Sequence, residues 1–185
     1  MATINYYYNA GSASSSNFAN IANAYDGNDT TYAQNVYKIG GSPSTETAYL
    51  TGNACNGSSL GLITKVEYRV KVYGDKKSTV GFNSRVYMTS RPYFGGSSAG
   101  TTTTRFDSGL NDSAYNYAAQ WSAYTDITND TNAPTWGTDW TNVSGLDIRV
   151  VAYWSAGVIG TDNVDRLYEC QLRVTYIPHG SFQVI

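Results

Sequence analysis

The residues best suited to chemistry in this chain are oxygen donors packed into one stretch, Ala24-Tyr25-Asp26-Gly27-Asn28-Asp29-Thr30-Thr31-Tyr32. An Asp-Gly-Asn turn followed closely by threonine crowds a carboxylate, an amide oxygen and backbone carbonyls into one short loop. These are hard donors of the kind Ca²⁺ gathers in shells of about six to eight. The same residues also suit a plain Asx turn, in which Asp26 and Asn28 accept from their own backbone amides. A closed oxygen cage leaves no open position for substrate, so an ion held here braces the fold and does not react.

Catalysis finds little support elsewhere. The single histidine, His179, stands beside Pro178 near the C-terminal end, so Ser-His-Asp and Cys-His arrangements lack a base. The glutamates are Glu46, Glu67 and Glu169, and nothing marks two of the eleven aspartates as facing each other across a cleft. Phosphate-cradling glycine loops, His-rich metal motifs and CxxC are absent. The expectation is a protein that is no enzyme. Aromatics are the other chemical resource, with 17 tyrosines. Tyr93, Phe94, Tyr115, Tyr117, Trp121 and Tyr124 cluster around polar loops and are candidates for binding a glycan or a protein partner. The remaining tyrosines are expected to fill a core or line subunit contacts. Tyr6, Tyr7 and Tyr8 are consecutive, so in a strand at least one points away from the core.

The elements that position these residues read as strands. Val66, Tyr68, Val70 and Val72 alternate with Glu67, Arg69, Lys71 and Tyr73, a half-buried strand. The segment from Gly74 to Ser78 then predicts a hairpin turn into a strand over Val80–Met88, with Lys76 and Lys77 at a soluble tip. Ile148, Val150, Ala152 and Trp154 form another alternating set, and Tyr168–Tyr176 closes the domain with Cys170, Leu172 and Val174 on its buried face. Weaker strands are expected at Ile4–Tyr8, Ala48–Leu50, Thr101–Phe106 and around Trp121–Ile127, and one helical turn within Ala19–Tyr25. About eight strands with unequal polar loops predict an all-β fold, a two-sheet antiparallel sandwich of jelly-roll type. The organisation expected is an N-terminal strand or arm over residues 1–18, the jelly roll over 19–177 and a C-terminal strap over 178–185.

Composition narrows the partners. The chain has 185 residues, enough for one domain with a sizeable core. Charged residues are 14% and net charge is −2, so the surface is a neutral, hydrogen-bonding one. A nucleic-acid face needs clustered Lys and Arg, which argues against that partner. No apolar run reaches the length of a membrane span, and the first residues lack the pattern of a secretory signal. Five Asn-x-Ser/Thr sequons, at Asn28, Asn56, Asn111, Asn129 and Asn142, exceed chance too little to signify glycosylation. Cys55 and Cys170 are expected to stay reduced in a chain made in the cytosol.

Two resemblances add to this. The stretch from Ala24 to Tyr32 resembles the Ala-x-Asp-Gly-Asn-x-x-Thr-x-Trp signature of discoidin-like (factor V/VIII type C) jelly rolls and related carbohydrate-binding modules, with Tyr32 in place of Trp. That resemblance implies a structural Ca²⁺ held by Asp26, Asn28 and Thr31, with Glu169 on the last strand as the distant ligand. The second runs from the Asp26 loop through Leu60-Gly-Leu-Ile-Thr-Lys-Val-Glu-Tyr-Arg-Val-Lys-Val. It continues through Ala133-Pro-Thr-Trp-Gly-Thr-Asp-Trp-Thr-Asn-Val-Ser-Gly-Leu-Asp-Ile-Arg-Val to Leu172-Arg-Val-Thr-Tyr-Ile-Pro. This order is similar to a group of tailed-phage virion proteins and related β-sandwich proteins. It implies a capsid-decoration, head-fibre or tail-accessory subunit located in the virion, whose partners are a capsid or tail protein and further copies of itself, in a homo-oligomer such as a trimer. The alternative is a carbohydrate-binding or host-adhesion module using loop aromatics on a surface glycan. A secreted bacterial surface protein is the more distant third reading. Trp136 and Trp140 are expected to plug one end of the sandwich ahead of Leu146.

Overall fold

The computed structural model describes residues 1–36, 44–77, 84–155 and 163–180. Among them are twelve strands: β1 (Ala2–Ala13), β2 (Phe18–Ala19), β3 (Ala33–Val36), β4 (Ser44–Asn53), β5 (Gly61–Lys76), β6 (Arg85–Phe94), β7 (Ser98–Ala99), β8 (Thr103–Asp107), β9 (Tyr115–Trp121), β10 (Thr125–Asp126), β11 (Asp147–Ser155) and β12 (Val164–Pro178). A 3-10 turn at Ile21–Ala24 and a four-residue helix, α1 (Thr141–Ser144), complete them.

The strands divide between two antiparallel sheets. In the first, β1 pairs with β12, β12 with β5, and β5 with β9 and β10. In the second, β4 pairs with β11, β11 with β6, and β6 with β8 and β7. The order β1-β12-β5-β9 against β4-β11-β6-β8, with the chain crossing from sheet to sheet, is that of a jelly roll. β1 also serves both sheets. Its first half lies on β12, a register break follows Tyr8, and its second half lies on β4. The expected fold class stands, but with twelve strands rather than about eight. Four short ones, β2, β3, β7 and β10, extend the edges of the eight that define the topology.

Alternation explains which face each strand buries. Val66, Tyr68, Val70 and Val72 of β5 meet Val86 and Met88 of β6, Ile148, Val150 and Ala152 of β11, and Leu167, Cys170, Leu172 and Val174 of β12 in one core. Each such aliphatic side chain, fully removed from water, stabilises by about 1.5–3 kcal/mol. A bulge at Tyr168 restores the alternation after Leu167, so Glu169 and Cys170 take opposite faces. Trp136 and Trp140 close one end, each indole N–H donating to a backbone carbonyl, that of Thr128 and Gly61 respectively. Tyr8 is buried with its hydroxyl on the Leu146 carbonyl, while Tyr7 points outward at 41% exposure. Both cysteines are buried and unbonded.

Two local expectations fail. Residues 74–77 do not turn a hairpin, Ser78 lying outside the described residues: β5 continues to Lys76, and β5 and β6 lie in opposite sheets. Gly74 is there for space, since a Cβ would stand 2.4 Å from the Phe106 ring. Lys76 is not a soluble tip. It is fully buried, and its ammonium donates to the Ser84 carbonyl and to the carbonyl and side-chain oxygens of Asn111. Three acceptors offset the burial of the charge, which desolvation still pulls below the usual lysine range. Of the strand expected over Val80–Met88, residues 80–83 lie outside the described residues, as do residues 181–185 of the C-terminal strap.

Candidate functional site

The Asp26 loop is a chain of Asx turns. Asp26 Oδ1 accepts from the Asn28 amide at 2.8 Å and Oδ2 from the Thr31 hydroxyl at 2.7 Å. Asn28 Oδ1 accepts from the Thr30 amide and hydroxyl. Gly27 takes φ +75°, a conformation glycine adopts without strain. The tertiary structure adds the distant partner: Glu169, buried on β12, accepts from the Gly27 amide at 3.0 Å. Its other oxygen accepts from the Cys170 amide at 3.2 Å. Burial, with the charges of Asp26 and Asp29 adding, pushes the Glu169 carboxyl up to about 7. The fold therefore brings Asp26, Asn28, Thr31 and Glu169 to one loop. Their donors are all hard oxygens, a type that fits Ca²⁺. Among the described residues, no group of three His, Cys, Asp or Glu side chains is arranged to hold a metal ion.

Sequence reasoning missed what docks this loop on the sheet. Lys71 of β5 donates to the Asp29 carbonyl at 2.8 Å and pairs with its carboxylate at 3.2 Å. The Trp121 indole N–H reaches the same carboxylate at 3.3 Å. Lys71 is the register partner of Glu169, so the pattern of β5 placed it on the right face; only the loop's path could say that Asp29 takes it.

The six candidate aromatics fall in three separate places. Tyr93 lies on the outer face of the second sheet. Its neighbour Phe94 is buried edge-on to Trp136, with centroids 6.0 Å apart. Tyr115 and Tyr117 pack on Phe106 at the sandwich edge, Tyr117 stacked at 5.2 Å. Trp121 and Tyr124 sit on the outer face of the first sheet with Arg69 between them, its guanidinium 4.3 and 4.6 Å from the two ring centroids.

That stacking is general. All seven arginines lie over an aromatic ring: Arg69, Arg85, Arg91, Arg105, Arg149, Arg166 and Arg173. Such contacts ordinarily occur about once per 70–80 residues. Arg105 lies on the buried Tyr68; for the others, much of the tyrosine excess serves to fix arginines at the surface of the sheets. Arg166 bridges Tyr32 and Tyr73. Arg173 covers Tyr124 and donates to Glu67, which also takes Lys65. These cations hold the Glu67 carboxyl below its usual range despite burial.

Recesses lined by described residues open at three places on the surface. The two at the β8–β10 edge and beside Trp136 are lined by Thr101, Thr103, Asn129 and Asp130 and by the 128–137 loop. Their acids are engaged by the chain itself, Asp130 with the Thr101 and Thr131 amides and Asp126 with Thr128. The third, about 200 Å³, lies on the outer face of the second sheet among Thr47, Tyr49, Thr89, Arg91, Tyr93, Thr102, Arg149 and Val151.

No family model matches the chain, and no curated protein does. A solved structure of infectious bursal disease virus, Gx strain, is similar over 80% of this chain and 30% of that one, at 13% identity and a TM-score of 0.36. The chain thus spans less than a third of the length of that neighbour. A likeness so slight carries no argument, and the jelly-roll assignment rests on strand order and register alone.

Proposed function

We propose that this chain is a structural subunit of a virus particle, of capsid-decoration, head-fibre or tail-accessory type, which works by surface contacts without catalysis and as a homo-oligomer. The observation that carries this reading is the outer face of the second sheet. There Tyr49, Arg149, Tyr93 and Arg91 form a stacked array, and Tyr87 and Tyr153 stack at 4.6 Å. Tyrosine and arginine are the residue types that protein interfaces enrich, and rings already held in place lose little freedom on binding. A ring-rich face of this kind suits lasting contact, since apolar ring area is not screened by salt. Co-sedimentation with purified particles tests it: the subunit stays with the particle through a high-salt wash, and release into the supernatant counts against the reading. Light scattering that finds only monomer at high concentration counts against the oligomer.

A host-adhesion role is the second reading. The recess on that same face favours it, being lined by hydroxyls and guanidinium groups of a kind that binds polar ligands. In either role Ca²⁺ bound by Asp26, Asn28, Thr31 and Glu169 would brace the loop against β12, since the ion would offset the charge crowding at Glu169.

A further inference from the structure

The arginines differ in what they hold. Arg69, Arg85, Arg105, Arg166 and Arg173 each donate to a side-chain oxygen: Gln171, Asp107, Ser90, Gln34 and Glu67 in turn. Among the described residues, Arg91 donates only to a backbone carbonyl, that of Gly100 at 2.5 Å. Arg149 donates to no acceptor among the described residues and forms no ion pair there. These two are neighbours. Arg149 on β11 stands directly opposite Arg91 on β6 in the antiparallel ladder, and directly opposite Tyr49 on β4.

Like charges facing each other across a ladder repel, yet the site is otherwise well built. The Arg149 guanidinium lies 3.5 Å from the Tyr93 ring centroid and 5.3 Å from that of Tyr49, and Arg91 lies 5.8 Å from Tyr93. Asp147, two residues along β11, is the acid that senses Arg149, and burial raises its own carboxyl. Threonines 47, 89 and 102 with Val151 complete the recess of about 200 Å³. Two guanidinium groups with open N–H edges, fixed by stacking and ringed by hydroxyls, are arranged for an oxyanion carried on a polyhydroxylated body.

We propose that this recess binds an acidic monosaccharide unit, carboxylated or sulfated, within a surface glycan. The inference rests on the host-adhesion reading and names its site and ligand class. A guanidinium offers paired N–H donors that match a planar carboxylate or a sulfate edge. The threonine hydroxyls supply partners for sugar hydroxyls. The volume accommodates one sugar ring, more than an acidic side chain fills. Because the arginines are already stacked, little conformational freedom is lost when the ligand arrives.

The test is calorimetric titration of the full chain with four oligosaccharide or ion probes and one peptide: a uronic-acid oligomer, a sulfated oligomer, a neutral oligomer of equal length, sodium sulfate and a Glu-rich peptide. One acidic oligomer is expected to bind at least tenfold tighter than the neutral one, and which of the two binds identifies the acid group. Arg149→Gln and Arg91→Gln should each weaken it at least tenfold at unchanged melting temperature. Arg149→Lys should also weaken it, since an ammonium keeps the charge but lacks the fork. Absence of saturable binding to either acidic oligomer overturns the proposal, as does affinity unmoved by Arg149→Gln or matched by sulfate alone. Preferential capture of the Glu-rich peptide also overturns it, in favour of a protein interface. Binding of the neutral oligomer that is indifferent to both arginines would leave the adhesion reading standing and remove only this site.

Discussion

The two outer faces of the sandwich are built from the same materials and finished differently. On the first sheet, Trp121, Arg69, Tyr124 and Arg173 form a stacked row that ends on Glu67 and Lys65. The Asp26 loop is clamped above β12 and β5 by Glu169, Lys71 and Trp121. On the second sheet the row of Tyr49, Arg149 and Arg91 carries no such closure among the described residues. What this teaches is that stacking on tyrosine is a scaffold in both places, whereas Arg149, alone among the arginines of the described residues, is stacked without an acceptor. Charge on the first face is satisfied within the chain; on the second, Arg85 pairs with Asp107 but the charge of Arg149 is left for something else.

The comparison breaks most readily at Glu67. Removing a buried acid that two cations share leaves them uncompensated, so Glu67→Ala is expected to destabilise by about 3 kcal/mol in denaturant melts. The equivalent removal on the open face, Arg149→Gln, should do far less. If both cost the same, the two faces are not different in kind.

Glu169 gives the next effect, through pH. Its carboxyl titrates near 7 in the folded chain against an ordinary value of 4.5. Between those values the folded state keeps a proton that the unfolded state has lost, so stability is greatest below about 4.5 and falls as pH rises through 7. At about 1.4 kcal/mol per unit, the loss is roughly 3 kcal/mol. Melting temperatures from pH 4.5 to 8 should show this fall, and Glu169→Gln should flatten it. The buried carboxyl of Asp165, raised well above its usual range by desolvation, adds a fall of the same sign.

Calcium sharpens the closed side further. Free Ca²⁺ at tenfold its dissociation constant would stabilise by about 1.4 kcal/mol, a gain lost on chelation and absent in Asp26→Ala. A melting temperature indifferent to both Ca²⁺ and chelator would end the calcium proposal. The smallest effect belongs to the open face: Arg149→Gln should change stability by no more than about 0.5 kcal/mol, and upward if relief of the repulsion with Arg91 dominates.

How much of this was legible follows from the range of each interaction. The alternation of β5, β11 and β12 was written in the sequence because period-2 burial is local. So was the Asx chemistry of Asp26 and Asn28. The Gly74–Ser78 segment misled, since glycine and lysines beside an aspartate mark a turn only if the next strand pairs in the same sheet. Here the chain crosses to the other sheet, Gly74 makes room for Phe106, and Lys76 is drawn inside by Asn111, 35 residues away. Phe94 among the loop aromatics misled similarly, because its partner Trp136 comes from another part of the chain.

The sequence by itself therefore determined the strands, the faces they bury, the neutral tyrosine-rich surface and the turn chemistry of the Asp26 loop, all of which depend on residues a few positions apart. The tertiary structure alone decided that Glu169 and Lys71 receive that loop, that every arginine lies on a ring, and that Arg91 and Arg149 meet across a ladder. Apart from Arg85 on Tyr87 and Arg91 on Tyr93, those pairings join residues tens of positions apart or more, and register between strands, which local pattern does not encode, sets which of them touch.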